Sequence, residues 1–151
     1  MLSIPHALTG AFVANQIPIP AVYIPTAFAF HYLQDWIPHW DFGTGLSTGR
    51  RKKSTAILLE IGELIITFGL IYFVFQRGQT EVQYHIWLGG LMGIMPDLIE
   101  SPRNFLGWEP AFLKPLNQFH GMFHNSTHHK VIGLLPQVIT VGVILFLVKF
   151  T

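Results

Sequence analysis

Ala21-Val-Tyr-Ile-Pro25-Thr-Ala-Phe-Ala-Phe30-His31-Tyr-Leu-Gln-Asp35-Trp-Ile-Pro38-His39-Trp-Asp41 begins as an apolar run and ends with two imidazoles and two carboxylates. At about 100° per residue, a helix through this stretch puts His31, Asp35 and His39, spaced i, i+4, i+8, on nearly one face. Pro38 limits how far that helix continues. Three metal-ligating side chains at the end of an apolar helix are costly to hold near a bilayer, and residues kept there point to function. The competing reading is interfacial anchoring, because Tyr32, Trp36 and Trp40 would make an aromatic belt. Anchoring alone does not require an Asp on the same face.

The totals set the class. The chain has 151 residues, which suits a single domain, 1–151. Half of its residues are hydrophobic and 11% are charged, against about a quarter charged in soluble domains. With a mean hydropathy of +0.43, a membrane protein is the expected class. The net charge is +1 and the only basic block is Arg50, Arg51, Lys52 and Lys53, so nucleic acid is not an implied partner. There is no cysteine. Any metal would therefore be held by His and carboxylate, without thiolate. The N-terminus lacks the basic region and small-residue cleavage site of a signal peptide, so its first apolar segment is expected to be retained.

Outward from the central stretch, residues 4–17 form an apolar segment closed by Pro18 and Pro20, with His6 at its start. It is shorter than the about 20 residues of a full span, and reads as a tilted or partial one. Residues 21–40 make the second segment and 43–53 a polar, basic loop. Ser54 would cap a third helix over 55–75, with Glu60 and Glu63 on one face. A fourth helix over 82–96 carries Gly89-x-x-x-Gly93, a spacing for close helix approach, and ends at Pro96-Asp97-Leu-Ile-Glu100. After a Pro- and aromatic-rich connection, residues 116–130 read as an amphipathic helix bearing His120, His124, His128 and His129. Residues 131–150 are the last apolar helix.

The basic residues predict orientation. Arg50, Arg51, Lys52 and Lys53 make the second loop cytoplasmic, and alternation puts Arg103, Lys114 and Lys130 on the same side. His31, Asp35, His39, Asp41, Glu60, Glu63, Asp97 and the histidines from 120 to 129 then fall near the cytoplasmic helix ends. If the first segment crosses, His6 joins them. One polar site at one depth is the expectation.

Each group has a plainer alternative. His120, His124, His128 and His129 would otherwise be incidental on a polar surface helix, and Asp97 a helix-end carboxylate facing water. Glu60 and Glu63 would pair with the basic loop rather than reach the site as ligand or general base. His85, beside Tyr84 and Trp87, is expected to anchor at the interface.

Tyr84-His85, the block from Met95 through Pro96, Asp97 and Glu100 to Gly107, and Phe119-His120 through His128 resemble the inner-membrane metal-dependent hydrolases, a family also described as LexA-binding. That description would imply a protein partner. The order of blocks is permuted here, Glu100 stands where a second Asp or a His is expected, and the family's arginine is absent. His31 to His39 is also similar to the His-x-x-x-Asp segment of zinc-dependent phospholipases C and single-strand-specific zinc nucleases. Those are all-helical proteins with multinuclear zinc that cleave phosphodiesters.

The sequence thus predicts an all-α polytopic bundle of about five membrane helices plus one amphipathic His-rich helix. It would be multi-pass in the cell (inner) membrane, with its site facing the cytoplasm. Its expected ligands are His6, His31, Asp35, His39, Asp97, His120, His124 and His128, for zinc (multinuclear), manganese or iron. Asp41, Glu60, Glu63 and Asp97 are the candidate catalytic carboxylates. The expected activity is hydrolysis of a phosphoester in a membrane lipid or other membrane-associated substrate, by an enzyme compatible with a homo-oligomer. The alternatives are a non-catalytic metal-binding or structural membrane protein and, less favoured by ligands gathered at one end, metal transport.

Overall fold

The apolar segments form six α-helices, with no β-strand among the described residues, in a computed structural model that describes residues 1–46 and 48–150. Ser47, in the expected loop, and Thr151 lie outside the described residues. The helices are α1 (Ser3–Gln16), α2 (Pro20–Trp36), α3 (Lys53–Ile71), α4 (Tyr84–Ser101), α5 (Lys114–Phe123) and α6 (Lys130–Val148). π-helical turns extend α3 over Tyr72–Gln76 and α4 over Pro102–Leu106.

Three boundaries differ from expectation in ways that shape the site. α2 stops at Trp36, because Ile37 precedes a proline and is driven to extended backbone (φ −74°, ψ 134°). His39 is therefore off the helix, and the i, i+8 relationship does not hold. α4 runs on through Pro96 to Ser101, since an internal proline removes only one backbone hydrogen bond. Asp97 and Glu100 thus stand on a helix, three residues apart. α5 ends at Phe123, so His124 is its C-cap and His128 and His129 lie in the connection to α6.

The short first segment is the centre of the bundle: α1 packs against α2, α3, α4 and α6. Ala7, Leu8 and Ala11 join Ile71, Phe75, Ile86, Ile94 and Ile144 in the core. α1 meets α4 along glycines. A Cβ on Gly89 would come within 2.4 Å of the Gly10 carbonyl oxygen, and one on Gly93 within 2.3 Å of the His6 carbonyl oxygen. Only glycine permits that backbone contact. The first turn of α1 is held by side chains of other helices, with Glu63 accepting from the Ile4 N–H (3.1 Å), Glu60 from the Ser3 hydroxyl (2.8 Å), and Gln137 from the Leu2 N–H (2.9 Å). The contacts to Leu2 and Ile4 satisfy backbone N–H groups that have no partner within the helix.

Two helical segments, Lys53–Gln76 and Lys130–Val148, are long and apolar enough to cross a membrane. Most of their side chains face outward. The helices α1 and α2, at 14 and 17 residues, are shorter, so five full-length spans are not reached on length and composition.

Candidate metal centre

Asp35 is the hub. It lies on the buried face of α2 with no exposed surface, and four imidazole Nε2 atoms converge on its carboxylate. His6 and His39 stand 3.1 and 3.6 Å from Oδ1, and His120 and His31 stand 3.0 and 3.4 Å from Oδ2. The amino group of Met1 also meets Oδ1.

The outer nitrogen of each of these rings is turned away, toward an acceptor. His31 Nδ1 donates to the Gly93 carbonyl at 2.8 Å and His39 Nδ1 to the Ile37 carbonyl at 2.9 Å. His120 Nδ1 lies 3.1 Å from Glu100 Oε2. His6 is fixed by a longer chain. The Thr9 hydroxyl donates to the Pro5 carbonyl and accepts from the Gln34 amide, which leaves Gln34 Oε1 to accept from His6 Nδ1 at 2.8 Å. With Nδ1–H committed in His6, His31 and His39, Nε2 is the nitrogen that each of them turns toward Asp35. This is how outer partners orient metal-binding histidines.

Two groups of donors result, and both contain Asp35. The first is His31, Asp35, Asp97 and His120; the second is Asp35, His39 and His124. In the first, His31 and His120 Nε2 are 3.3 Å apart, and Asp97 Oδ1 lies 3.8 and 3.5 Å from them. Ligand atoms about 2.0–2.2 Å from a tetrahedral ion stand about 3.3–3.6 Å from one another, so this spacing matches an ion's coordination shell. In the second, His124 Nδ1 is 3.3 Å from Asp35 Oδ2, and its Nε2 is 3.2 Å from Asp41 Oδ2. Asp41 Oδ2 also faces His39 Nε2 at 3.4 Å, and both atoms are buried without a hydrogen-bond partner. Such orphaned atoms are costly unless something satisfies them. These buried His and Asp groups can hold a metal ion through nitrogen and oxygen.

Backbone pairing brings the distant parts together. Asn125 N–H donates to the Asp35 carbonyl, His39 N–H to the Asn125 carbonyl and Thr127 N–H to the His39 carbonyl. An isolated parallel bridge joins His39 to Ser126. Asp41 is aimed by a turn in which Thr44 donates to Oδ1 from both its backbone N–H (2.6 Å) and its hydroxyl (3.0 Å).

The charges are mutually supporting. Burial alone would raise the Asp41 carboxyl, but His124 and His39 beside it hold it well below the usual carboxylate range. Burial would lower the His120 and His124 rings. The carboxylates of Asp35 and Glu100 instead raise His120 to about 9, and those of Asp35 and Asp41 raise His124 to about 10.

The remaining expected residues fall as follows. His6 contacts Asp35 and stacks on His31 at 4.0 Å without belonging to either group. His128 is exposed and joins neither. Glu60 and Glu63 bind the start of α1, and neither group includes them. His85 sits in the first turn of α4, at the opposite end from Asp97. Glu100 and Gln34 emerge as orienting partners that the sequence reading did not assign. Glu100 follows Asp97 by three residues, a helical spacing that would have put both on one face.

A cavity of about 520 Å³ opens on this cluster, with Asp41, Asp97, Glu100 and His124 on its wall and Lys53 and Arg103 among its cations. Arg103 is in close contact with Glu100. Comparison with family models, with curated proteins and with solved structures finds no match to this chain.

Proposed function

We propose that this protein is a metal-dependent hydrolase of a phosphoester, carried by a phospholipid or another membrane-associated substrate. The observation that carries this reading is the sharing of Asp35 by two donor groups beside an open cavity. A carboxylate common to two groups suits a dinuclear site. Zinc is the ion the nitrogen-rich donor set favours, with manganese and iron as its competitors. Such an ion lowers the pKa of a bound water and polarises a phosphoryl oxygen.

The chain's residues supply the rest. Asp35, His31, His39, His120 and His124 hold the charge in place, and Asp41, drawn below the usual carboxylate range, suits a ligand better than a base. Glu60, a cavity-wall carboxylate outside both donor groups, is available to take a proton. Lys53 and Arg103 give the cavity positive charge for an anionic ester.

We read the bundle as multi-pass in the cell (inner) membrane, with about five crossings and the site at the cytoplasmic face. Supporting this, α3 begins at Lys53 on the cavity wall, and α6 begins at Lys130, whose ammonium lies 5.4 Å from the Trp40 ring centre. Arg51 covers the same ring at 5.0 Å. Both candidate spans therefore start, with their basic residues, at the level of the site. The likeness of Tyr84-His85, of residues 95–107 and of residues 119–128 to inner-membrane metal-dependent hydrolases agrees with this reading.

The test is phosphate release from phosphatidic acid vesicles by zinc-loaded protein, beside Asp35→Asn. Release that disappears in the variant supports the hydrolase. Bound zinc without turnover of phosphatidic acid or a chromogenic phosphodiester favours the second reading, a non-catalytic metal-binding protein, for which the full burial of His31, Asp35 and His39 also speaks.

A further inference from the structure

The helix α5 has three faces. At about 100° per residue, Asn117, His120 and His124 share one, which is turned to the metal cluster. Asn117 and His120 are buried there. Lys114, Gln118 and Gly121 share a second, exposed and polar. On the third, Leu116, Phe119 and Met122 are exposed, and Leu106, Trp108 and Phe112 are exposed in the segment just before the helix. Met122 is 77% exposed and Phe112 72%. Exposed apolar side chains gathered in one segment mark an interaction surface.

What covers it follows from its neighbours. Phe123, the last residue of α5, is seven positions before Lys130, where a candidate span begins. The other candidate span begins at Lys53, on the wall of the cavity that His124 also lines. Both apolar helices thus start at the level of α5. Lys114, exposed on the neighbouring face of α5, offers a charge suited to anionic headgroups.

We propose that the strip from Leu106 to Met122 lies in the headgroup region of the bilayer that α3 and α6 enter, with lipid as its occupant. Resting on the membrane reading above, this makes α5 an interfacial helix, seated about 5–10 Å into the headgroup boundary. One face holds His120 and His124 toward the metal cluster while the next rests on acyl chains. A lipid headgroup beside α5 reaches the cavity without leaving the leaflet.

The chain has no cysteine, so single-cysteine variants report cleanly. Met122→Cys, Leu116→Cys and Gln118→Cys would carry a bimane label, in nanodiscs of phosphatidylcholine and phosphatidylglycerol. Ile65→Cys and Val138→Cys, exposed positions on α3 and α6, serve as controls for the membrane reading. The expected result is quenching at positions 116 and 122 by lipid labelled at acyl carbon 5, about twofold stronger than by aqueous iodide. Position 118 shows the reverse, and positions 65 and 138 are quenched by labelled lipid.

Iodide quenching at 116 and 122 with lipid quenching kept at 65 and 138 overturns the interfacial assignment and leaves the membrane reading standing. Protection of 116 and 122 from both quenchers means that protein covers the strip, and also overturns it. Iodide quenching at all five positions overturns both.

Discussion

His31 Nε2 and His120 Nε2 face each other across 3.3 Å, from helices 89 residues apart in sequence. The outer nitrogen of His31 is bound to the Gly93 carbonyl, and that of His120 lies against Glu100. Both inner nitrogens thus point to one place, and His120 would have to give up a proton there before donating an electron pair. With Asp35 and Asp97 beside them, the four groups could hold an ion at that point.

If the chain from Pro5 through Thr9 and Gln34 aims His6, then Gln34→Leu frees that ring while leaving every member of both donor groups in place. Were His6 a further ligand, loss of such an outer partner would weaken metal binding roughly 10–100-fold. Zinc competition against a chromogenic chelator measures it. Unchanged affinity would remove His6 from the centre.

Metal uptake releases protons. His120 and His124, raised to about 9 and 10, are protonated at pH 7 in the metal-free protein, whereas a ligand nitrogen must be bare. Binding therefore strengthens as pH rises from 7 toward 9. Titration calorimetry in buffers of different ionisation enthalpy should show a buffer-dependent heat. The sign for the metal-free fold is opposite. Raised pKa values give stability that is complete below the ordinary histidine value of 6.5 and is lost as pH climbs through 9 and 10.

Gly93→Ala tests the α1–α4 contact. The new methyl would fall 2.3 Å from the His6 carbonyl oxygen, and overpacking of this kind costs about 1–3 kcal/mol. Because the Gly93 carbonyl also aims His31, thermal stability and zinc affinity should fall together. Gly142→Ala, inside α6 with open space around its Cβ position, should leave zinc affinity unchanged and hold or slightly raise thermal stability.

Glu63→Leu separates a structural carboxylate from a catalytic one. It leaves the Ile4 N–H without its acceptor, at a cost of about 1–3 kcal/mol, while Glu63→Gln keeps an oxygen at that position. The expectation is a lower melting temperature for the leucine variant and wild-type zinc content in both. Abolished turnover in the glutamine variant with zinc retained would make Glu63 a base after all.

Much of the site was legible where ligands ride on helices. His31 and Asp35 lie one turn apart on α2, and Gly89 and Gly93 announced a close helix contact that α1 and α4 make. His39 lies beside Asp35, though not by the helical spacing that predicts it there. Its helical spacing is lost at Pro38, and it returns through backbone pairing with residues 125–127, which carries no side-chain signature. His128 failed to join because α5 ends at Phe123. The carbonyls of Gly93 and Ile37 that aim His31 and His39 were unreadable, because any residue offers a carbonyl. Counting spans from composition was equally limited. The short segment 4–17 is the centre of the bundle, and among the described residues only α3, with its π-helical extension, and α6 have the length and apolarity of a crossing.

The central claim is that the cluster around Asp35 holds metal. Its most direct test is metal content by mass spectrometry on detergent-purified protein, beside an Asp35→Ala/His124→Ala double variant whose helicity is checked by circular dichroism. The account predicts stoichiometric zinc, manganese or iron in the wild type, lost in the folded variant. A folded wild-type protein that carries none, even after zinc is supplied, would contradict it.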